Sequence, residues 1–161
     1  MTSLRYSFQG FDSKTMVRVA GRNLPISHKA SYEIAKFIKG RKVTWALKAL
    51  ENVIEKKVAI PYTRYCMDVA PKPGIGSAAR YPVKASRYII KLLRNLQGAA
   101  RNKNFDVNNL TIIHAAAQKG PIRHRYGRKV GLERKNTHFE LIAKEIKQEK
   151  KEKNKKEAQV K

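Results

Sequence analysis

Cysteine is almost absent from this 161-residue chain, which contains only Cys66. A single cysteine cannot form an internal disulfide, and without a CxxC pair the chain lacks the usual thiolate ligands of a structural zinc site. The composition therefore predicts a reducing, cytosolic environment. Cys66 lies beside Met67, and we interpret it as a small packed side chain rather than as a nucleophile.

A long hydrophobic run is also missing. The apolar stretches are only a few residues long, whereas a membrane-spanning helix needs about 20 residues. The first residues, MTSLRYSFQGF, lack the apolar segment of a secretory signal peptide. We therefore expect a cytoplasmic protein that does not bind membranes.

Acidic residues are scarce. The chain has 12 Asp and Glu against 36 Lys and Arg, which gives a formal net charge of +24. Self-repulsion of this size opposes a compact state, so we expect a stable partner that carries phosphates.

The scarcity of acids also argues against catalysis. Neither the GxSxG motif of hydrolases nor a GxxxxGK phosphate-binding loop occurs in the sequence. Salt bridges on helix faces are a sufficient explanation for Glu51, Glu55 and Glu145. We expect no enzymatic activity.

Two patterns suggest a cofactor or a metal, but neither has the required context. Residues 74–79 fit GxGxxA, yet they follow the Pro-rich APKP and are cut off by Pro82, whereas a cofactor loop joins a strand to a helix. His114 and His138 are predicted to face each other across a hairpin, but two imidazoles are too few for zinc. We expect no cofactor and no metal.

Hydrophobic periodicity predicts three helices and several strands. The predicted helices cover 28–39, with Ser27 as N-cap and Gly40 at the end, 44–57, with Thr44 as N-cap, and 82–102. Residues 15–24 are predicted to form a short strand or an extended entry, and further strands are predicted at 110–119 and 136–143. Residues 58–81 contain several Pro and Gly and are predicted to form a long ordered loop or insertion. Residues 1–144 would form one domain, and 145–161 a charged C-terminal tail that begins as a fraying helix.

A basic segment, residues 119–135, separates the last two strands. The strands are about equidistant from Tyr126, which predicts a long protruding β-hairpin over about 110–144. Its base can pack on the helices, but its far half cannot, and an isolated two-stranded ribbon is marginal in water. The predicted tip consists of Arg123, His124, Arg125, Tyr126, Gly127, Arg128 and Lys129.

Basic residues recur along the chain without enough acids to interleave with them. No RNP-like set of stacking aromatics accompanies them, so the pattern favours binding of folded RNA by shape and backbone. The candidate RNA-binding residues are Arg18, Arg22, His28, Lys29, Arg41, Lys42, Arg64, Lys72, Arg80, Lys84, Lys119, Arg123, His124, Arg125, Tyr126, Arg128, Lys129, Arg134 and Lys135.

Several separated motifs resemble one known family. Residues 26–53, ISHKASYEIAKFIKGRKVTWALKALENV, are similar to the two-helix block of the universal large-subunit ribosomal protein called L twenty-two in bacteria and L seventeen in eukaryotes. The motif positions are Ser27, His28, Lys29, Lys39, Gly40, Arg41 and Lys42. The third helix, Gly120-Pro121 before RHRYGRK, and the closing THFELIA follow in the family's order, so that the resemblance covers about residues 18–144.

The departures from the bacterial pattern point to a branch of the family. The insertion at 58–81 and the Lys/Glu tail are longer than in bacterial members, which suggests an archaeal-type or eukaryotic chain. His28 stands where many members have Pro, and Ala115, Ala116 and Ala117 replace the branched residues usual in that strand. Neither difference breaks the motifs.

The resemblance implies an α+β fold, with three helices packed on a small antiparallel sheet and a long protruding β-hairpin. It also implies a structural constituent of the large ribosomal subunit in the cytoplasm. Its implied partners are several domains of large-subunit rRNA, neighbouring ribosomal proteins and the nascent peptide, since the family's hairpin lines the polypeptide exit tunnel. No homo-oligomer is expected. The alternative is a basic nucleic-acid chaperone or chromatin-type protein, which should bind DNA duplex as well as rRNA.

The charge excess predicts a steep dependence of RNA binding on salt. With about six or more phosphate contacts, the affinity for large-subunit rRNA should fall roughly a thousandfold or more between 50 and 200 mM salt, because condensed counterions are released on binding. Filter binding across a salt series measures the slope. A flat response would contradict an electrostatic mode of binding.

Overall fold

The computed structural model describes residues 6–146, and the predicted C-terminal tail from residue 147 onward lies outside the described residues. The α-helices are α1 (His28–Ile38), α2 (Val43–Ile54) and α3 (Val83–Asn102). The strands are β1 (Met16–Leu24), β2 (Ile60–Pro61), β3 (Pro71–Lys72), β4 (Ile75–Arg80), β5 (Leu110–Lys119), β6 (Arg123–His124), β7 (Glu133–Arg134) and β8 (Thr137–Glu145). The predicted α+β class, with three helices on a small antiparallel sheet and a long hairpin, is confirmed.

Of the two N-caps predicted from Ser or Thr, one lies at the predicted position and the other does not. Ser27 occupies the N-cap of α1, but its hydroxyl makes no capping hydrogen bond. Thr44 lies inside α2, whose N-cap is Lys42. The same helix ends at Ile54 rather than 57, because Lys56 adopts a left-handed φ of 61° that no helix continues through.

The main sheet has the strand order β1-β8-β5, with antiparallel pairing on both sides of β8. Alternate residues Phe139, Leu141 and Ala143 of β8 are buried in the main core cluster. The apolar stripes of the three helices cover this face, and α3 contributes Leu93 and Leu96. A single core therefore holds the sheet and the helices together.

Residues 58–81 are not the loop that was predicted. They contain a second antiparallel sheet with the order β2-β4-β3, in which Ile60 pairs with Arg80 and Pro71 with Ala78. Its strands are too short and too rich in Pro and Gly to give a period-two signal in the sequence. The GxGxxA pattern covers the β3–β4 turn, where Gly74 has a φ of +79°, and continues into β4, so it does not open a helix.

The hairpin is centred later than predicted. β5 and β8 pair from Leu110 with Glu145 to Lys119 with Thr137, and a bulge near Ile112 shifts the register by one residue. Farther out, β6 and β7 pair His124 with Glu133. These pairs place the centre near residues 128–129 rather than at Tyr126, and a 3-10 turn, Gly127–Lys129, forms the end.

The corrected register separates the two histidines that were expected to face each other. His114 lies opposite Ile142, and His138 lies opposite Gln118. The bulge accounts for only part of this difference, because it shifts the register by one residue. The strand β8 also lies later than predicted, at Thr137–Glu145 rather than 136–143. Glu145, expected on a helix face, is instead the last residue of β8 and accepts a hydrogen bond from the backbone N–H of Asp106.

Residues 121–135 are all exposed, and we call them the distal arm. Replacing residues 123–134 with an Asn-Gly turn should lower the Tm by no more than about 5 °C, because these side chains bury little apolar surface. Thermal unfolding by circular dichroism measures the change. Leu141→Ala, which removes a fully buried side chain, is the positive control and should cost about 2–5 kcal/mol. Loss of cooperative unfolding in the arm variant would show that the distal arm belongs to the fold.

Candidate nucleic-acid interface

The predicted basic residues are almost all exposed. Only His28 and Lys72 are half-buried, and His28 directs Nε2 to the carbonyl oxygen of Ala117 at 3.1 Å. Exposure leaves the other cations free to meet an anionic partner. The structure divides them among several surfaces rather than collecting them in one place.

The largest convergence of charge is a groove between the body and the distal arm, which we call the body–arm groove. Three adjoining hollows that share Lys135 form it. The body lines it with Lys29, Arg80 and Lys84. The hairpin lines it with Lys119, His124, Arg125, Tyr126, Lys129, Arg134 and Lys135, and Glu133 is the acid among the lining residues.

Two helix N-termini open into the same groove. Ser27 and Lys29 line it at the start of α1, and Pro82, Val83 and Lys84 line it at the start of α3. Neither helix has a side-chain cap or an acid in its first turn. First-turn N–H groups without acceptors carry partial positive charge and favour phosphate oxygens. The absent Ser27 cap thus adds to the positive field of the groove.

A second surface adjoins the groove and consists of stacked aromatic and basic side chains. The guanidinium carbon of Arg64 lies 4.9 Å from the ring centroid of Tyr32 and 5.4 Å from that of Tyr65. Lys29 Nζ lies 6.0 Å from the Tyr65 centroid, which links this surface to the groove. A hydrogen bond with the Tyr32 side chain raises the pKa of Arg64. A guanidinium is in any case charged at every pH at which proteins are folded, and it stacks favourably on an aromatic face.

Glu33 positions this surface from beneath, and the sequence reasoning missed it. The residue is 1% exposed. Its carboxylate accepts backbone N–H bonds from Arg64 at 2.9 Å, Tyr65 at 3.0 Å and Thr63 at 3.2 Å. Burial raises the pKa of Glu33, but these hydrogen bonds outweigh burial, and the pKa lies below its ordinary value of 4.5. The sequence signal that could have identified Glu33 is its position next to Ile34 on the apolar face of a predicted helix.

Arg18 lies on the other face of the main sheet. Its guanidinium carbon is 4.7 Å from the ring centroid of Tyr6 and 4.4 Å from that of Phe11. Arg41 and Lys42 lie elsewhere, in the α1–α2 connection beside the outer edge of β5. These cations are therefore separate from the body–arm groove.

Ser7, His114 and Glu140 form a cluster that resembles a hydrolytic triad in composition only. The Ser7 hydroxyl donates to Glu140 Oε2 at 2.7 Å, and the Ser7 backbone N–H donates to the same oxygen at 3.0 Å. Both Ser7 Oγ, at 3.1 Å, and Glu140, at 3.9 Å, approach the same imidazole nitrogen, Nε2. A triad needs the acid on the opposite nitrogen, so this arrangement fixes the N-terminal segment to the sheet.

Within residues 6–146, no three His, Cys, Asp or Glu side chains come together as a metal site would require. In the same part of the chain, no helix is both long and apolar enough to cross a membrane. The described residues form several cationic surfaces. The starts of two helices add hydrogen-bond donors to one of them.

Comparisons with known proteins show what the chain is similar to. A family model described as ribosomal protein L22p/L17e matches residues 19–144. The large ribosomal subunit protein uL22 of Archaeoglobus fulgidus is 40% identical over 150 residues, covering 89% of this chain and 97% of the relative. The uL22 protein of Cenarchaeum symbiosum is 40% identical over 152 residues, covering 90% of this chain and 99% of the relative. The uL22 protein of Aeropyrum pernix is 37% identical over 151 residues, covering 88% of this chain and 97% of the relative.

Glu33→Gln should destabilise the protein by about 2 kcal/mol at neutral pH, because a charged acceptor of three backbone hydrogen bonds becomes a neutral amide. A folded-state pKa below the ordinary value means that the carboxylate contributes stability above the unfolded-state pKa. That contribution is lost as the pH falls through the lowered folded-state pKa. Urea unfolding of both proteins from pH 7 to 3 should show the difference shrinking below about pH 4.5. A difference independent of pH would contradict the ionised state of Glu33.

Proposed function

The chain belongs to the ribosomal protein L22p/L17e family and is a structural constituent of the large ribosomal subunit, and we propose that it binds large-subunit rRNA through the body–arm groove. It is a component of cytoplasmic ribosomes. The distal arm reaches between rRNA segments toward the exit tunnel and the nascent peptide, and the body contacts neighbouring ribosomal proteins.

The observation that carries the rRNA proposal is the convergence of cations in the body–arm groove. Lys29, Lys84 and Lys135 come from α1, from α3 and from the root of the arm. Folding brings them around one concave surface, where like charges repel unless an anion lies between them. A phosphate backbone supplies regularly spaced anions of the required sign.

Binding at this groove is electrostatic and geometric. Lysine and arginine side chains neutralise phosphates and release condensed counterions, while the open N–H groups at the starts of α1 and α3 add directional hydrogen bonds. Such contacts fix the position of the protein on folded RNA without reading the base sequence. This action suits a protein that stabilises rRNA during subunit assembly.

The composition of the distal arm suits a partner that contains both RNA and peptide. Its exposed cations alternate with exposed apolar side chains: Ile122, Tyr126, Val130 and Leu132. Tyr126 is 89% exposed, so the free protein offers it almost no packing. We infer that the rRNA orders the arm on assembly and that its tip presents these residues to the tunnel.

The arm's root is rigid enough to direct it. Asn136 Nδ2 donates to the Asn23 side chain and to the carbonyl oxygen of Pro121, both at 3.1 Å. A Cβ on Gly120 would lie 2.9 Å from the Asn136 side chain, so only glycine fits there without a shift. The direction of the arm is thus set before the RNA is met.

Neutralising the groove should reduce the salt slope of rRNA binding. The triple variant Lys29→Gln, Lys84→Gln and Lys135→Gln should lower the slope of log affinity against log salt by about three, one for each phosphate contact. Filter binding with deproteinised large-subunit rRNA measures this slope, and sedimentation with large subunits measures incorporation.

The matched control neutralises three exposed lysines outside the groove, Lys56, Lys57 and Lys91. This variant has the same net charge and should keep most of the slope. Equal losses in the two variants would contradict a specific role for the groove. Equally tight binding of duplex DNA in competition would instead favour a general nucleic-acid chaperone.

A further inference from the structure

The one tryptophan of the chain, Trp45, is 41% exposed in the first turn of α2. The neighbouring positions Val43, Ala46 and Leu50 provide the buried face of this helix. Trp45 is therefore not needed to complete the core, although an indole is among the largest apolar groups a protein can bury. An exposed tryptophan in such a position is available to a partner.

The indole is held in place by two contacts. Its ring centroid lies 5.4 Å from that of Phe37 at an interplanar angle of 44°, and the guanidinium carbon of Arg41 lies 5.1 Å from it. The backbone beneath is also fixed, because the N–H of Gly40 donates to the carbonyl of Ile112, and the N–H of Ile112 donates to the carbonyl of Arg41. The ring is thus presented on a rigid connection against the edge of β5.

Arg41 contacts the ring, other basic residues flank Trp45 in the sequence, and no acid lies in the first turn of α2. Lys39, Arg41, Lys42 and Lys48 are all exposed here. The first acid farther along α2, Glu51, is in an ion pair with Arg94 at 3.5 Å. The partner of this surface is therefore anionic and also offers a flat group for the indole, and a nucleotide with an unpaired base meets both conditions.

We propose that Trp45 stacks on an unpaired base of the large-subunit rRNA while Arg41 and Lys42 bind the adjacent phosphates. This inference rests on the proposed rRNA binding and adds a second contact, apart from the body–arm groove. It also departs from the expectation that the protein reads only shape and backbone, which came from the absence of an RNP-like aromatic set. A single stacking residue needs no such set, because every base has a π-face.

Intrinsic fluorescence tests this contact, since all tryptophan emission of the protein comes from Trp45. The probe is a mixed-sequence RNA of about 12 nucleotides, within the range of single-strand site sizes. At saturation the single strand should quench the emission, whereas the same RNA annealed to its complement should leave it nearly unchanged, because paired bases are not free to stack. Equal emission with both probes would overturn the inference.

Affinity measured by anisotropy of the labelled single strand gives an independent result. Trp45→Leu should weaken binding by about tenfold, and Trp45→Phe should recover part of the loss because it restores an aromatic face. Met67→Ala removes another exposed apolar side chain and should have no effect. Thermal unfolding verifies that each variant is folded. Wild-type affinity in Trp45→Leu would overturn the stacking contact.

Failure of the proposed rRNA binding and failure of the Trp45 stacking contact give different results. If the wild-type protein does not bind deproteinised large-subunit rRNA, the proposed function itself fails. If it binds the rRNA normally while Trp45→Leu binds equally well, only the stacking contact is overturned. A change in emission that requires intact subunits, and is absent with the RNA probes, would assign Trp45 to a protein neighbour and would also overturn it.

Discussion

The pairing of β8 with both β1 and β5 is the interaction on which the rest of the structure depends. One face of β8 carries Phe139 and Leu141 into the core beneath the three helices. The segment that connects β5 to β8 forms the distal arm. The arm is therefore a continuation of core strands, and its root is positioned by packing even though its far end packs on nothing. A highly charged extension can in this way be attached rigidly to a small body.

The second constraint is electrostatic. A net charge of +24 repels itself, and the structure distributes many of the cations over a groove, an aromatic-supported surface and an edge. Ion pairs with acids, such as that between Arg94 and Glu51, lie outside these surfaces. Two of the few acids are buried and used for construction: Glu33 holds the backbone below Arg64, and Glu140 holds the N-terminal segment through Ser7. The resulting positive field on the surface suits a member of this ribosomal protein family.

Local patterns predicted much of the fold. The stripe of α3 and the alternation in β5 and β8 were readable because a helix or a half-buried strand imposes its period on neighbouring residues. Predictions that depended on distant partners were weaker. Residues 58–81, predicted as a loop or insertion, contain the β2-β4-β3 sheet, the hairpin centre lies near residues 128–129 rather than at Tyr126, and the N-cap assigned to Thr44 was wrong. Each of these depends on pairing or dihedral angles that residue spacing does not encode.

The sequence by itself determined the class of partner, the helices and the family, because charge, periodicity and ordered motifs are properties of the chain. It also indicated that most of these cations are exposed, because Lys and Arg are rarely buried without an acidic partner. Only the tertiary structure decided which of them lie together. Lys29, Lys84 and Lys135 share one groove, and Glu33 sits beneath Arg64, because folding brings distant segments within a few ångströms. Linear spacing contains no measure of that distance, and for this reason the sequence predicted a set of exposed basic residues but not the groove that some of them line.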